Sequence, residues 1–144
     1  MIRVKSSEKV VGQTASTGFQ IGVRRKLPIS AYAAWQFLNS VEGLQLWIGR
    51  VSSLHVEVGE SSTSQEGVTG EFRVVKPLQQ LRLKWKRNDW DKPSTLQIRL
   101  LSDQSERTTI SFHQENLSDA FICEQMKQHW ESVIDTIGIQ TKIS

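Results

Sequence analysis

From Phe19 the chain alternates between apolar and polar positions. Phe19, Ile21, Val23 and Leu27 share one phase with Arg25, and Pro28 ends the run. Period two predicts a strand with one buried face. Ser30 follows as a helix N-cap, ahead of the helix formers Ala31, Ala33 and Ala34. Ala34, Trp35 and Leu38 give this short helix its apolar stripe. Asn39 and Ser40 break it. A second short helix is predicted from Val41 to about Ile48, with Gly49 as its stop.

The centre reads as a series of strands. Leu54, Val56 and Val58 alternate, and the polar stretch from Gly59 to Gln65 reads as a turn. Val68, Gly70, Phe72 and Val74 alternate up to Pro77. Leu81, Leu83 and Trp85 then alternate with Arg82, Lys84 and Lys86, which gives one apolar and one basic face. Asn88-Asp89-Trp90-Asp91-Lys92-Pro93 is a turn with a tryptophan at its tip. Leu96, Ile98 and Leu100, then Thr108, Ile110 and Phe112, complete an antiparallel meander. Beyond the cap residues Asn116 to Asp119, the residues Ile122, Met126, Trp130, Val133, Ile134 and Ile137 recur at spacings of three and four. They predict a long amphipathic helix ending at Gly138. Sheet face and helix stripe must bury against each other. The expected organisation is a weakly structured lead-in at 1–17, one domain at 18–138 and a tail at 139–144.

Composition narrows the class. A chain of 144 residues, 38% hydrophobic and 23% charged, is that of a soluble globular domain. Cys123 is the one cysteine, so no intrachain disulfide forms and a reducing compartment is expected. No apolar run is long enough to span a membrane, and the polar start lacks the apolar core of a signal peptide. The expected location is cytoplasmic. The net charge of +3 is unevenly spread: residues 1–27 carry +5, and residues 28–117 balance to zero. That is a solubilising face rather than a stripe for nucleic acid.

The chemistry-bearing residues are sparse. Three histidines, His55, His113 and His129, show no ligand spacing, so neither a metal nor a cofactor is expected. His55 and His113 fall out of phase with the apolar alternation and should face away from the core; His129 should lie toward the helix flank. Cys123 reads as buried and inert, with no base placed to activate it. Glu42, Glu71 and Glu115 are the carboxylates nearest apolar elements. Glu71 should point to solvent, whereas Glu115 could reach a cavity mouth. No catalytic residue is assigned. The richest signal is aromatic: Trp35, Trp47, Trp85, Trp90 and Trp130 are many for so small a chain. They serve either as core or as the wall of a cavity, where flat rings bury well and each indole N–H needs a partner. Trp90, in its loop, is a lid, a hook for a partner, or packed on its own domain.

The order of elements resembles a known family. The matching pieces are Pro28-Ile-Ser-Ala-Tyr-Ala-Ala-Trp35, Leu46-Trp-Ile-Gly49, Gly67-Val-Thr-Gly-Glu-Phe72 and Leu81-Arg-Leu-Lys-Trp85. Ser94-Thr-Leu-Gln-Ile98, Thr108-Thr-Ile-Ser-Phe112 and His129-Trp130 follow. This ordered set is similar to the START and Bet v 1-like (SRPBCC) superfamily, in the branch of the C-terminal domain of the activator of Hsp90 ATPase. The resemblance implies an α+β helix-grip fold: a curved antiparallel sheet wrapped around a long C-terminal helix, with two short helices after the first strand. It further implies an apolar cavity lined by Trp35, Trp47, Phe72, Trp85, Trp90, Phe112, Met126 and Trp130. A small hydrophobic ligand, lipid-like or aromatic, is the first expectation. A co-chaperone-type protein–protein module is the second, and a cyclase- or hydratase-like enzyme the third. The expected partners are thus a hydrophobic small molecule, or a chaperone or other protein, with no nucleic acid and no membrane insertion. The chain is expected as a monomer or homodimer.

Overall fold

A computed structural model describes residues 13–14, 18–52, 54–103 and 106–143. The elements run β1 (Gln13–Thr14), β2 (Gly18–Leu27), α1 (Ala31–Leu38), α2 (Val41–Trp47) and β3 (Ser61–Thr63). They continue with β4 (Val68–Lys76), β5 (Gln80–Arg87), β6 (Ser94–Ser102), β7 (Thr108–Leu117) and α3 (Ala120–Ile143). All strand pairs are antiparallel, in one seven-stranded sheet of order β1-β2-β7-β6-β5-β4-β3. β3 to β7 form the meander, and β2 closes onto its last strand. The sheet curves around α3, which gives the helix-grip fold. The rest of the expected lead-in lies outside the described residues.

Local chemistry explains the corner between β2 and the meander. Ser30 caps α1, its hydroxyl accepting from the Ala33 N–H at 3.1 Å. Ser40 caps α2, accepting from the Gly43 N–H at 3.1 Å and donating to the Phe37 carbonyl at 2.6 Å. Each serine satisfies a helix-end group that water would otherwise have to serve. Gly49, at φ +118, turns the chain out of α2 as expected, a conformation that a Cβ would strain.

Two expectations need correction. Leu54, Val56 and Val58 do not form a strand; the edge strand β3 is the polar Ser61-Ser62-Thr63. Leu54 and Val56 are half-buried against the core from a loop, which satisfies the alternation without a partner strand. At the sheet edge, by contrast, β3 needs only backbone bonding to β4, so polar side chains suit it. The second correction concerns Gly138. α3 runs through it to Ile143, so most of the expected tail is helix. Gly138 instead lets the helix lie close to β2, since a Cβ there would sit 3.3 Å from the Leu27 Cδ2.

The core fills the space between the concave sheet face and α3. Phe72, Leu81, Leu83, Leu96, Ile110 and Phe112 from the sheet meet Met126, Trp130, Ile134 and Ile137, all without exposure. One polar relay crosses it. The Trp130 indole N–H donates to Gln114 Oε1 at 2.7 Å, and Gln114 Nε2 donates to Ser94 Oγ at 2.8 Å. Ser94 Oγ then donates to the Trp85 carbonyl at 2.6 Å. Every member is buried and bonded, so the relay avoids the cost of burying an unpaired polar group.

Candidate functional site

Trp85 is the hub of an aromatic cluster that reaches from the core to the surface. Its ring lies 5.5 Å from Trp130 on α3 and 5.5 Å from Trp90 in the β5–β6 loop. Trp130 stacks on Phe112 at 4.9 Å with the planes 16° apart. His129 packs edge-on against Trp130 at 4.6 Å and lies 6.4 Å from Trp85. Two indole N–H groups hold α2 in place: Trp47 donates to the Leu38 carbonyl of α1 at 3.0 Å, and Trp85 of the cluster donates to the Trp47 carbonyl at 2.7 Å. Ring geometry and hydrogen bonds therefore fix Trp47, Trp85 and Trp130 together.

Two clefts border this cluster. One, of about 260 Å³, runs between α2 and α3, walled by Leu46, Trp47, Ile48, Val68 and Trp85. Arg87, His129 and Glu66 supply its charged or titratable groups. The other, of about 580 Å³, lies beside Trp90, with Asp89, Asp91, Asn116, Asp119 and Ile122 along it. In the first cleft, Glu66 is engaged already. The Arg50 backbone N–H donates to its Oε1 at 2.8 Å and the Arg50 guanidinium to its Oε2 at 2.7 Å. Both bonds, the backbone one foremost, hold that carboxyl below its usual range.

Burial, followed by the charge of Arg87, lowers His129 to about 4. Its ring is neutral at pH 7. In the unfolded chain it titrates near its ordinary 6.5, so between these values the unfolded state holds the extra proton. The stability associated with this ring is complete above pH about 6.5 and is lost as pH falls through about 4. We expect melting temperatures measured from pH 8 to pH 4 to fall over this window, and His129→Gln to flatten the fall. An acid limb identical in the variant would assign it to other groups.

The expected cavity residues occupy different places. Trp47 and Trp85, each only 1% exposed, lie beneath the first cleft, and Trp90 borders the second. Trp90 is half-buried and rests on Trp85, packed on its own chain. Phe72, Phe112, Met126 and Trp130 lie fully buried behind Trp85. Trp35 is half-buried on α1, against the core and away from both clefts. Glu115 does not reach a cavity mouth. It sits within β7 on the outer sheet face, 4.0 Å from Arg82, because β7 extends to Leu117 and places residue 115 out of phase with Phe112 and Gln114. Glu71 also faces outward, 3.7 Å from Arg73, and Glu42 is exposed in the first turn of α2.

His55 is exposed, in a loop rather than a strand. His113 on β7 bonds to Gln20 at 3.0 Å. His129 is wedged between two tryptophans rather than lying on the helix flank, since α3 turns that position toward β5. Cys123 is buried, and burial, with a smaller contribution from Asp119, pushes its thiol up to about 11. It is a poor nucleophile at neutral pH. Among the described residues no group of His, Cys, Asp and Glu is arranged to hold a metal ion. Arg87 is a cleft residue that the apolar pattern does not single out. Its signal is in the sequence: it continues the inward phase of Leu81, Leu83 and Trp85.

The family model "Activator of Hsp90 ATPase homolog 1-like protein" matches residues 29–138. The chain belongs to this family. The match takes in both short helices, the meander and the greater part of α3, so the fold of this Hsp90-activator-like chain and its sequence agree. No curated protein matches the sequence significantly. Among solved structures, it is similar to DynU16, a protein of the dynemicin biosynthetic locus, with a TM-score of 0.75 and 16% identity. That alignment covers 85% of this chain and 47% of DynU16, so the chain spans about half of that protein's length. An HSP90 activator from Plasmodium falciparum aligns with a TM-score of 0.72 and 18% identity, over 83% of this chain and 94% of that one. The Aha1 dimer from Colwellia psychrerythraea aligns with a TM-score of 0.67 and 14% identity, over 83% and 92%. At these identities the likeness is one of fold.

Proposed function

We propose that this chain binds a small hydrophobic ligand, aromatic or lipid-like, where the sheet meets α3. The observation that carries this reading is the aromatic cluster itself: Trp85 passes without a break from the buried Trp130 to the half-buried Trp90 and His129, beside two open clefts. Trp47 and Trp85 back the first cleft, and Trp90 is the residue a ligand in the second would move. Phe72, Phe112, Met126 and Trp130 form the apolar interior behind them, and Trp35 closes the same core from α1. Each buried methylene of a ligand adds about 0.8 kcal/mol, so a compact compound reaches micromolar affinity. Native mass spectrometry of protein purified from its own host tests this. A reproducible added mass of a few hundred daltons, lost on denaturation and absent in Trp90→Ala, is expected; bare protein in every preparation would count against it.

The outer face of the sheet favours a second reading, a protein-interaction module. Arg73, Arg82, Lys84, Lys86 and Arg99 lie there, against Glu71 and Glu115. Such a face suits an acidic partner through charge complementarity. The structural likeness to an HSP90 activator from Plasmodium and to a dimeric Aha1 from Colwellia points the same way. Binding to an acidic protein that weakens steeply with salt would support it, as would a dimer mass in light scattering.

A further inference from the structure

We propose that the cleft between α2 and α3 takes a compact aromatic carboxylate, its ring over Leu46 with the buried Val68 and Trp85 beneath, and its carboxylate between Arg87 and His129. This rests on the ligand-binding reading above and specifies the ligand's chemistry. The argument begins with Arg87. It is the last residue of β5, its guanidinium 5.7 Å from the centre of the Trp85 ring. Among the described residues no carboxylate lies within ion-pair distance of it. The rim nearby offers a contrast, because Arg50 there is neutralised by Glu66. The cleft thus presents one uncompensated cation at the end of an apolar wall. A planar guanidinium with free N–H groups is complementary to a carboxylate, which it can grip with two parallel bonds.

His129 is the second half of the site. It is half-buried, and among the described residues neither ring nitrogen has a hydrogen-bond partner. Its contacts are the faces and edges of Trp85 and Trp130. A ring with two unused nitrogens beside an unpaired arginine, both lining one cleft, lacks one thing: an anionic acceptor. The groups facing it are Arg87 from β5 and, across the cleft, Glu66 from the turn before β4, whose charge Arg50 already offsets. A bound carboxylate would counter the Arg87 charge and accept from the imidazole N–H. The ring would then take up a proton on binding. The size of the cleft sets the rest. About 260 Å³ lies below the roughly 300–1,000 Å³ of sites for drug-sized molecules, so one or two fused rings fit and a long acyl chain does not.

Isothermal titration of the full chain with 1-naphthoate and its neutral counterpart 1-naphthamide tests this, at pH 8 and pH 5.5, in buffers of different ionisation enthalpy. Naphthoate should bind at least about tenfold more tightly than the amide, as charge-assisted bonds imply. If the carboxylate returns His129 to its ordinary range, naphthoate should bind about tenfold more tightly at pH 5.5 than at pH 8, with proton uptake. Arg87→Met keeps the aliphatic stem and should abolish the preference for the acid, with folding checked by circular dichroism. Equal, pH-independent binding of acid and amide would overturn the carboxylate inference and leave the hydrophobic site standing. Binding of neither compound would overturn both at this cleft.

Discussion

Trp130→Ala is expected to remove about 3–5 kcal/mol of folding stability, the range for truncating a large buried aromatic ring. Three losses coincide there. The indole is completely buried, so its removal leaves a gap that the surrounding strands cannot close. The stacked contact with Phe112 and the edge contact with Trp85 disappear together. Gln114 Oε1 also loses its donor, and the relay through Ser94 to the Trp85 carbonyl loses its first member. Since whole domains hold only about 5–15 kcal/mol in reserve, most of the margin would go. Trp130→Phe separates the terms, because it fills most of the volume but orphans Gln114; a loss of about 1–3 kcal/mol is expected. Urea unfolding of both variants checks this. A loss near zero for the alanine variant would mean that the interior collapses around the gap.

Gly43→Ala is the second large effect, and its sign opposes intrinsic preference. Alanine favours a helix over glycine by about 1 kcal/mol, so the substitution in α2 should stabilise if local propensity decided. The packing decides otherwise. A Cβ at residue 43 would lie 1.9 Å from the Phe37 carbonyl oxygen, 2.9 Å from its carbon and 3.0 Å from the Leu38 Cα. These are backbone atoms of α1, and the Phe37 oxygen is further held by the Ser40 hydroxyl at 2.6 Å. No side chain can swing aside, so the two helices must part. We expect a net destabilisation of about 3 kcal/mol. Because α2 carries Trp47 and one wall of the cleft, a weaker response of tryptophan fluorescence to 1-naphthoate should accompany it. A variant as stable as the parent would show that the α1–α2 corner yields freely.

Much of this architecture was legible in the chain. The alternation in 81–85, 96–100 and 108–112, the serine caps and the spacing from Ile122 to Ile137 identify strands and helices because each element must present one apolar face. The same logic failed at Leu54 to Val58, where a loop met the pattern, and at Ser61 to Thr63, where an edge strand needed no apolar face. Gly138 misled for a related reason. Glycine ends a helix or permits close packing, and only the neighbour, Leu27, shows which. The site was partly written in phase: Arg87 and Gln114 are polar residues at inward positions of β5 and β7, anomalies that single out a cleft and a buried relay.

By itself, then, the sequence determined both short helices, the long strands, the start of the long helix and their order, since periodicity and caps act over a few residues and are recorded there. Tertiary structure alone decided that Trp90 rests on Trp85 and that Arg87 and His129 line one cleft. Those outcomes depend on register and on where α3 crosses the sheet. Residues far apart in the chain share a site only after such long-range choices are made, and no local pattern encodes them.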